Sequence, residues 1–83
     1  MYLLVKEDEK PIDEELFHKL KLWRKSKAIK ENIKPYIIFS DSSLISIVNR
    51  LPKSIEELLQ VRGVGEKKAE KYGDEILKLL SNE

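Results

Sequence analysis

The stretch Leu58-Leu59-Gln60-Val61-Arg62-Gly63-Val64-Gly65-Glu66-Lys67-Lys68-Ala69 constrains this chain more than any other. It reads as the apolar end of one helix, a Gly-Val-Gly turn, and a second helix that opens on lysines. Two glycines one residue apart let the backbone reverse tightly where side chains would clash. The following helix then presents unpaired N–H groups and a positive dipole end, which suit a phosphate. Lys67 and Lys68 stand in its first turn. A tight corner between packed helices needs glycine in any case, so the motif carries two readings, a turn alone or a phosphate contact.

With 83 residues, the chain makes one small domain, near the lower end of what folds unaided. It has no cysteine and one histidine, His18. A disulfide framework, a thiolate metal site and a multi-histidine cluster are thereby excluded, and no cofactor is expected. No apolar run approaches membrane-spanning length, and Met1 to Val5 is too short for a signal peptide. An intracellular place, cytoplasmic or nucleoid/nuclear, is expected. Residues 1–12 read as an N-terminal extension or linker, apolar at Tyr2-Leu3-Leu4-Val5 and charged up to Pro11. Residues 13–83 read as the helical domain.

Asp13 is placed to cap a first helix, with Glu14 and Glu15 in its first turn. That helix runs to about Asn32. Leu16, Leu20 and Trp23 share its core stripe, flanked by Phe17 and Ala28, and Trp23 is expected as the central anchor. Leu22 and Ile29 fall on nearly the opposite side, as scattered surface apolars or under a cover, either the Tyr2–Val5 segment or a partner, of which the Tyr2–Val5 segment is expected. Ile33 to Phe39 has no helical period. Pro35 biases Lys34 away from helix, so the segment reads as an extended, largely buried crossover. Ser40 and Asp41 cap a second helix, Ser42 to about Arg50, with Leu44, Ile47 and Val48 inward. Ser54 caps a short third helix with Glu57 at the capping-box position and Leu58 and Leu59 inward. A fourth helix runs from the glycine turn to about Tyr72, where Gly73 breaks it. Asp74 then caps a last helix carrying Ile76, Leu77 and Leu80. The fold expected is all-α, a compact bundle of four to five short helices with a SAM- or helix-hairpin-helix-like turn.

The formal net charge is +1, but its distribution is uneven. Lys19, Lys21, Arg24, Lys25, Lys27, Lys30 and Lys34 follow His18 with a single acid, Glu31, among them. A near-neutral chain can thus carry a basic face. Lys27, Lys30 and Lys34 could neutralise phosphates, and the Tyr36 ring could stack on a splayed base. The same lysines would also favour the helix dipole, and a tyrosine beside proline can pack on a core rim. Arg24 lies near the apolar stripe and is expected to bond structurally, to a carbonyl or to Asp41. No catalytic constellation is legible. The acids sit at helix starts, His18 has no evident nucleophile or metal partner, and no Walker-type loop occurs.

The residues Leu16-Phe17, Leu20, Trp23-Arg24, Ala28, Pro35-Tyr36-Ile37-Ile38-Phe39-Ser40-Asp41, Leu44, Pro52, Ser54, Glu57-Leu58-Leu59, Gly63-Val64-Gly65, Lys68, Tyr72-Gly73 and Ile76-Leu77 together resemble the HRDC (helicase and RNase D C-terminal) domain. The resemblance covers nearly everything from Asp13 to Leu80. It implies a helical module appended to a RecQ-type DNA helicase or to an RNase D-like exonuclease, with catalysis in other domains. In some HRDC domains that resemble this one, the crossover tyrosine lies in the single-strand-binding patch beside basic residues of the first helix, and Tyr36 holds the matching position here. The expected function is weak, sequence-independent binding of single-stranded or branched DNA by a monomeric domain. Docking on the helicase core or another partner, or binding RNA in an RNase D-like enzyme, are the alternatives. The candidate nucleic-acid-binding residues are Lys27, Lys30, Lys34, Tyr36, Lys67 and Lys68.

Overall fold

Helix α1 (Glu14–Glu31) starts where the Asp13 carboxylate accepts the Leu16 N–H at 3.1 Å, as the N-cap rule requires. The computed structural model describes residues 10–81. Ahead of α1, the Ile12 N–H donates to the Asn49 side chain, which in turn donates to the Lys10 carbonyl. The chain entering α1 is thereby tied to the far end of α3. Helix α1 ends at Asn32, which takes a left-handed conformation (φ 60°), a geometry asparagine adopts more readily than most residues. Four further helices follow: α2 (Pro35–Ile38), α3 (Asp41–Arg50), α4 (Ile55–Leu59) and α5 (Glu66–Ser81). Among the described residues there is no strand.

The segment expected as an extended, largely buried crossover is instead a single helical turn, Pro35–Ile38. The pre-proline bias does hold for Lys34, which is extended (φ −77°, ψ 144°). Proline itself is suited to the first helical position, because its fixed φ is helical and its missing N–H would be unpaired there anyway. The turn points Tyr36 and Ile37 to solvent and buries Ile38 and Phe39. Alternation between water and core every two residues is what gave the segment its non-helical look.

The core forms where α1 packs on α2, α3 and α5, with α4 against α5. Leu16, Leu20, Ile38, Phe39, Leu44, Ile47, Leu58 and Ile76 are its innermost side chains. Phe39 is the central aromatic, at 0% exposure. Trp23, expected at the centre, is half-buried beside it. Its ring lies 6.3 Å from Phe39 and 5.6 Å, edge-on, from Tyr72. Phe39 and Tyr72 complete the triangle at 6.0 Å.

Ser40 and Ser54 cap α3 and α4 by accepting the N–H groups of Ser43 and Glu57. The Glu57 carboxylate reaches back to the Lys53 N–H at 2.9 Å, one residue earlier than in the ideal capping box. Leu58 is buried, but Leu59, expected inward, is exposed, because adjacent helical residues point about 100° apart and Leu58 takes the core-facing side. Gly73 does not break the last helix, which runs unbroken from Glu66 to Ser81, and Asp74 is an interior position rather than a cap. Glycine within a helix costs about 1 kcal/mol relative to alanine. Here it permits close packing, since a Cβ at Gly73 would lie 2.6 Å from the Ile55 Cδ1. The expected cover of Leu22 and Ile29 by Tyr2–Val5 lies outside the described residues.

Candidate nucleic-acid interface

Trp23, Lys27 and Glu31 stand one turn apart on α1 and face α5, where Lys71, Tyr72 and Glu75 meet them. The Trp23 indole N–H donates to Glu75 Oε1 at 2.9 Å, and Lys27 Nζ pairs with Glu75 Oε2 at 2.7 Å. One turn on, Glu31 Oε1 accepts from both the Tyr72 hydroxyl (2.8 Å) and Lys71 Nζ (3.0 Å). These contacts clasp α1 to α5 over the aromatic triangle. The Lys27 ammonium, and then the Trp23 N–H, hold the Glu75 carboxyl below its ordinary value. Lys71, then Tyr72, do the same for Glu31. Burial, reinforced by the bond to Glu31, raises the Tyr72 phenol. The bond to Glu31 raises Lys71.

Lys27 is therefore an element of the clasp. Its side chain is mostly buried and its charge is already matched by Glu75. Lys30, in the last turn of α1, and Lys34, the N-cap of α2, are exposed. Neither has an ion-pair partner among the described residues. Tyr36 follows at 65% exposure, with its ring outside the aromatic triangle. The left-handed turn at Asn32 thus separates two unpaired ammonium groups, and the exposed phenol lies immediately beyond them.

Lys68 approaches the same short helix from α5, with its Nζ 5.5 Å from the Phe39 ring centre. Phe39 caps the C-terminal end of α2, so Lys68 is brought to α2 from the far end of the sequence. Lys67 is exposed in the first turn of α5. Among the described residues no hydrogen bond, ion pair or ring contact joins it to the α1–α2 junction.

The glycine turn resolves into two different positions. Gly63 has φ +88°, and a Cβ there would collide with the Ser43 Oγ and lie 3.2 Å from its Cβ. Gly65 has open space around it, and its carbonyl accepts the Ala69 N–H at 2.9 Å. One glycine is required by the turn; the other meets no steric demand within the domain.

Arg24 behaves as its position on the helix predicts. It is buried, donating to the Phe39 carbonyl at 2.8 Å and pairing with Asp41 at 2.8 Å. Its role is to hold the end of α2 and the start of α3 against α1. The α1–α5 clasp was not read from the sequence. Its signal was the four-residue spacing of Trp23, Lys27 and Glu31, which single-helix periodicity cannot assign to a partner. Among the described residues there is no grouping of three metal-ligating side chains, and no helix long and apolar enough to cross a membrane.

Comparison with known proteins places this architecture. The chain is 41% identical over 69 residues to the ATP-dependent DNA helicase UvrD2 of Mycobacterium tuberculosis, covering 83% of this chain and 10% of the relative. It is 43% identical over 68 residues to the ATP-dependent DNA helicase RecQ of Haemophilus influenzae, covering 82% of this chain and 11% of that one. The chain thus spans about a tenth of the length of these relatives. The solved D. radiodurans RecQ HRDC domain 3 superposes with a TM-score of 0.78 at 28% identity, over 81% of this chain and 88% of that one. Residues 13–80 match the HRDC domain family model, and the chain belongs to the HRDC family.

Proposed function

We propose that this domain is an auxiliary nucleic-acid-binding module of a larger RecQ-type DNA helicase. It gives that enzyme weak, salt-sensitive and largely sequence-independent affinity for single-stranded or branched DNA. The domain binds, while ATP hydrolysis and unwinding reside elsewhere in the polypeptide.

The observation that carries this reading is the junction of α1 and α2. There Lys30 and Lys34 make no ion pair among the described residues, Lys30 acting on Glu75 only at longer range, and the exposed Tyr36 follows them along the chain. Ammonium groups free of carboxylates release counterions when they meet phosphates, and an exposed aromatic ring offers a stacking face to an unpaired base. Lys68, held near α2 by Phe39, extends the positive field along the same element. Lys67 adds charge at the start of α5. Lys27 contributes least, because binding a phosphate would mean giving up Glu75. The relatives named above are DNA helicases, which favours DNA over RNA as the ligand.

The test is an oligo-dT titration at two salt concentrations with NMR shifts mapped onto the chain. Lys34→Ala and Lys30→Ala should each flatten the log–log salt dependence by about 0.7 for a single strand. Tyr36→Ala should cost about 1–3 kcal/mol of binding free energy with little change in slope. Absence of binding at low salt, or shifts confined to the second half of α5, would remove the junction as the site.

A further inference from the structure

The outward face of α1 belongs neither to the core nor to the clasp with α5. His18, Lys21, Leu22, Lys25 and Ile29 recur there at helical spacing. Leu22 is 53% exposed and Ile29 72%. Scattered surface aliphatics are ordinary, but Leu22 here floors a cleft of roughly 290 Å³ walled by His18, Lys21, Arg24, Lys25 and Pro35. No carboxylate lines it. Arg24 is already engaged by Asp41 and the Phe39 carbonyl. The Lys21 ammonium lies 5.2 Å from the Phe17 ring centre, and Lys25 has no acidic partner among the described residues.

We infer that this cleft docks an acidic peptide segment carrying apolar side chains. One apolar residue enters against Leu22 and Pro35, and a second covers Ile29, two helical turns or about 10 Å further along the axis. Carboxylates flanking the first meet Lys21 and Lys25. Charge complementarity selects an acidic partner, because the rim offers basic groups only. The aliphatic floor selects a peptide over nucleic acid. A phosphate backbone would satisfy the lysines but leave Leu22 and Ile29 in water, and no aromatic ring lines the cleft for a base to stack on. The cleft borders the Lys30, Lys34 and Tyr36 junction at Pro35, but its ligand is a peptide held by Leu22, Ile29, Lys21 and Lys25, so the inference does not rest on the DNA reading.

The experiment uses the full chain, isotope-labelled, titrated with a synthetic peptide in which leucines alternate with glutamates. Two control peptides replace its leucines by serine or its glutamates by lysine. The expected result is shifts at His18, Lys21, Leu22, Lys25 and Ile29 with the first peptide alone. Leu22→Ser, Ile29→Ser and Lys25→Glu should each weaken that binding by about tenfold while keeping the parent's melting midpoint. Equal binding of the serine peptide, shifts on another face, or no binding at low salt would overturn the inference. Displacement of the peptide by oligo-dT from these same residues would reassign the face to nucleic acid. Nuclear Overhauser contacts from Tyr2–Val5 to Leu22 in the free protein would reassign it to the chain's own start.

Discussion

Gly63→Ala should be among the most damaging single-methyl changes in this domain, and its cost can be worked from two separate terms. A φ of +88° places an alanine in the left-handed region, which costs roughly 1–2 kcal/mol. The new Cβ also collides with the Ser43 hydroxyl and stands 3.2 Å from the Ser43 Cβ. Ser43 cannot swing away freely, being buried at the start of α3 with its Oγ accepting a bond from Ser40 at 3.1 Å. Overpacking of this kind costs typically about 1–3 kcal/mol. Alanine also narrows the unfolded ensemble, which returns about 0.4–1 kcal/mol. The balance is a destabilisation of about 1–4.6 kcal/mol, or roughly 4–37 °C in melting midpoint for a domain of this size. Thermal unfolding followed by circular dichroism measures it, with Gly65→Ala as the control. Gly65 has open space, so its alanine variant should stay within about 0.5 kcal/mol of the parent, the loss at the cap offset by the unfolded-state gain. A double-mutant cycle with Ser43→Ala isolates the steric term. The two changes should couple by about 1 kcal/mol, because removing the Oγ relieves the worst of the overlap. Equal melting of Gly63→Ala and Gly65→Ala, or a strictly additive cycle, would refute this account of the turn.

Trp23→Ala should cost about 2–3 kcal/mol, below the 3–5 of a fully buried aromatic, whereas Trp23→Phe should lose only about 1 kcal/mol for the bond to Glu75; equal losses would mean the ring contacts with Phe39 and Tyr72 add little. The carboxyls of Glu31 and Glu75 are both held below their ordinary value of 4.5, so their contribution is present above that pH and is lost as pH falls through the lower folded values. The melting midpoint should therefore drop on acidification below about 4.5. The Glu31→Gln/Glu75→Gln double variant should show a shallower drop, modest in size because the Glu75 side chain is 45% exposed and water screens its pairing. An unchanged acid limb in that variant would show that the clasp is not the acid-sensitive element.

Local chemistry was enough to place the helix starts in this protein. Asp13, Ser40 and Ser54 each cap the helix that their type and spacing predict, because an N-cap bond closes within three residues and needs no distant partner. The all-helical class, the inward stripe of Leu16 and Leu20 and the positive φ at the glycine turn were legible for the same reason, and the place of Arg24 beside that stripe pointed to its structural role. So were Lys30, Lys34 and Tyr36 as exposed groups, since polarity and a preceding proline act locally.

Tertiary packing decided the rest. Gly73 reads as a break in isolation, yet α5 passes through it, and the Ile55 Cδ1 packs where a side chain would begin. Pro35 reads as the centre of an extended crossover, yet the chain closes a helical turn that sends Tyr36 outward and Phe39 into the centre. Lys27 reads as one more surface lysine until Glu75, far along the sequence, comes within 2.7 Å of it. Propensity and periodicity describe each residue against its own neighbours. Whether a glycine is a hinge or a packing contact, and whether a lysine is free or matched, depends on which distant side chain the fold brings to its face.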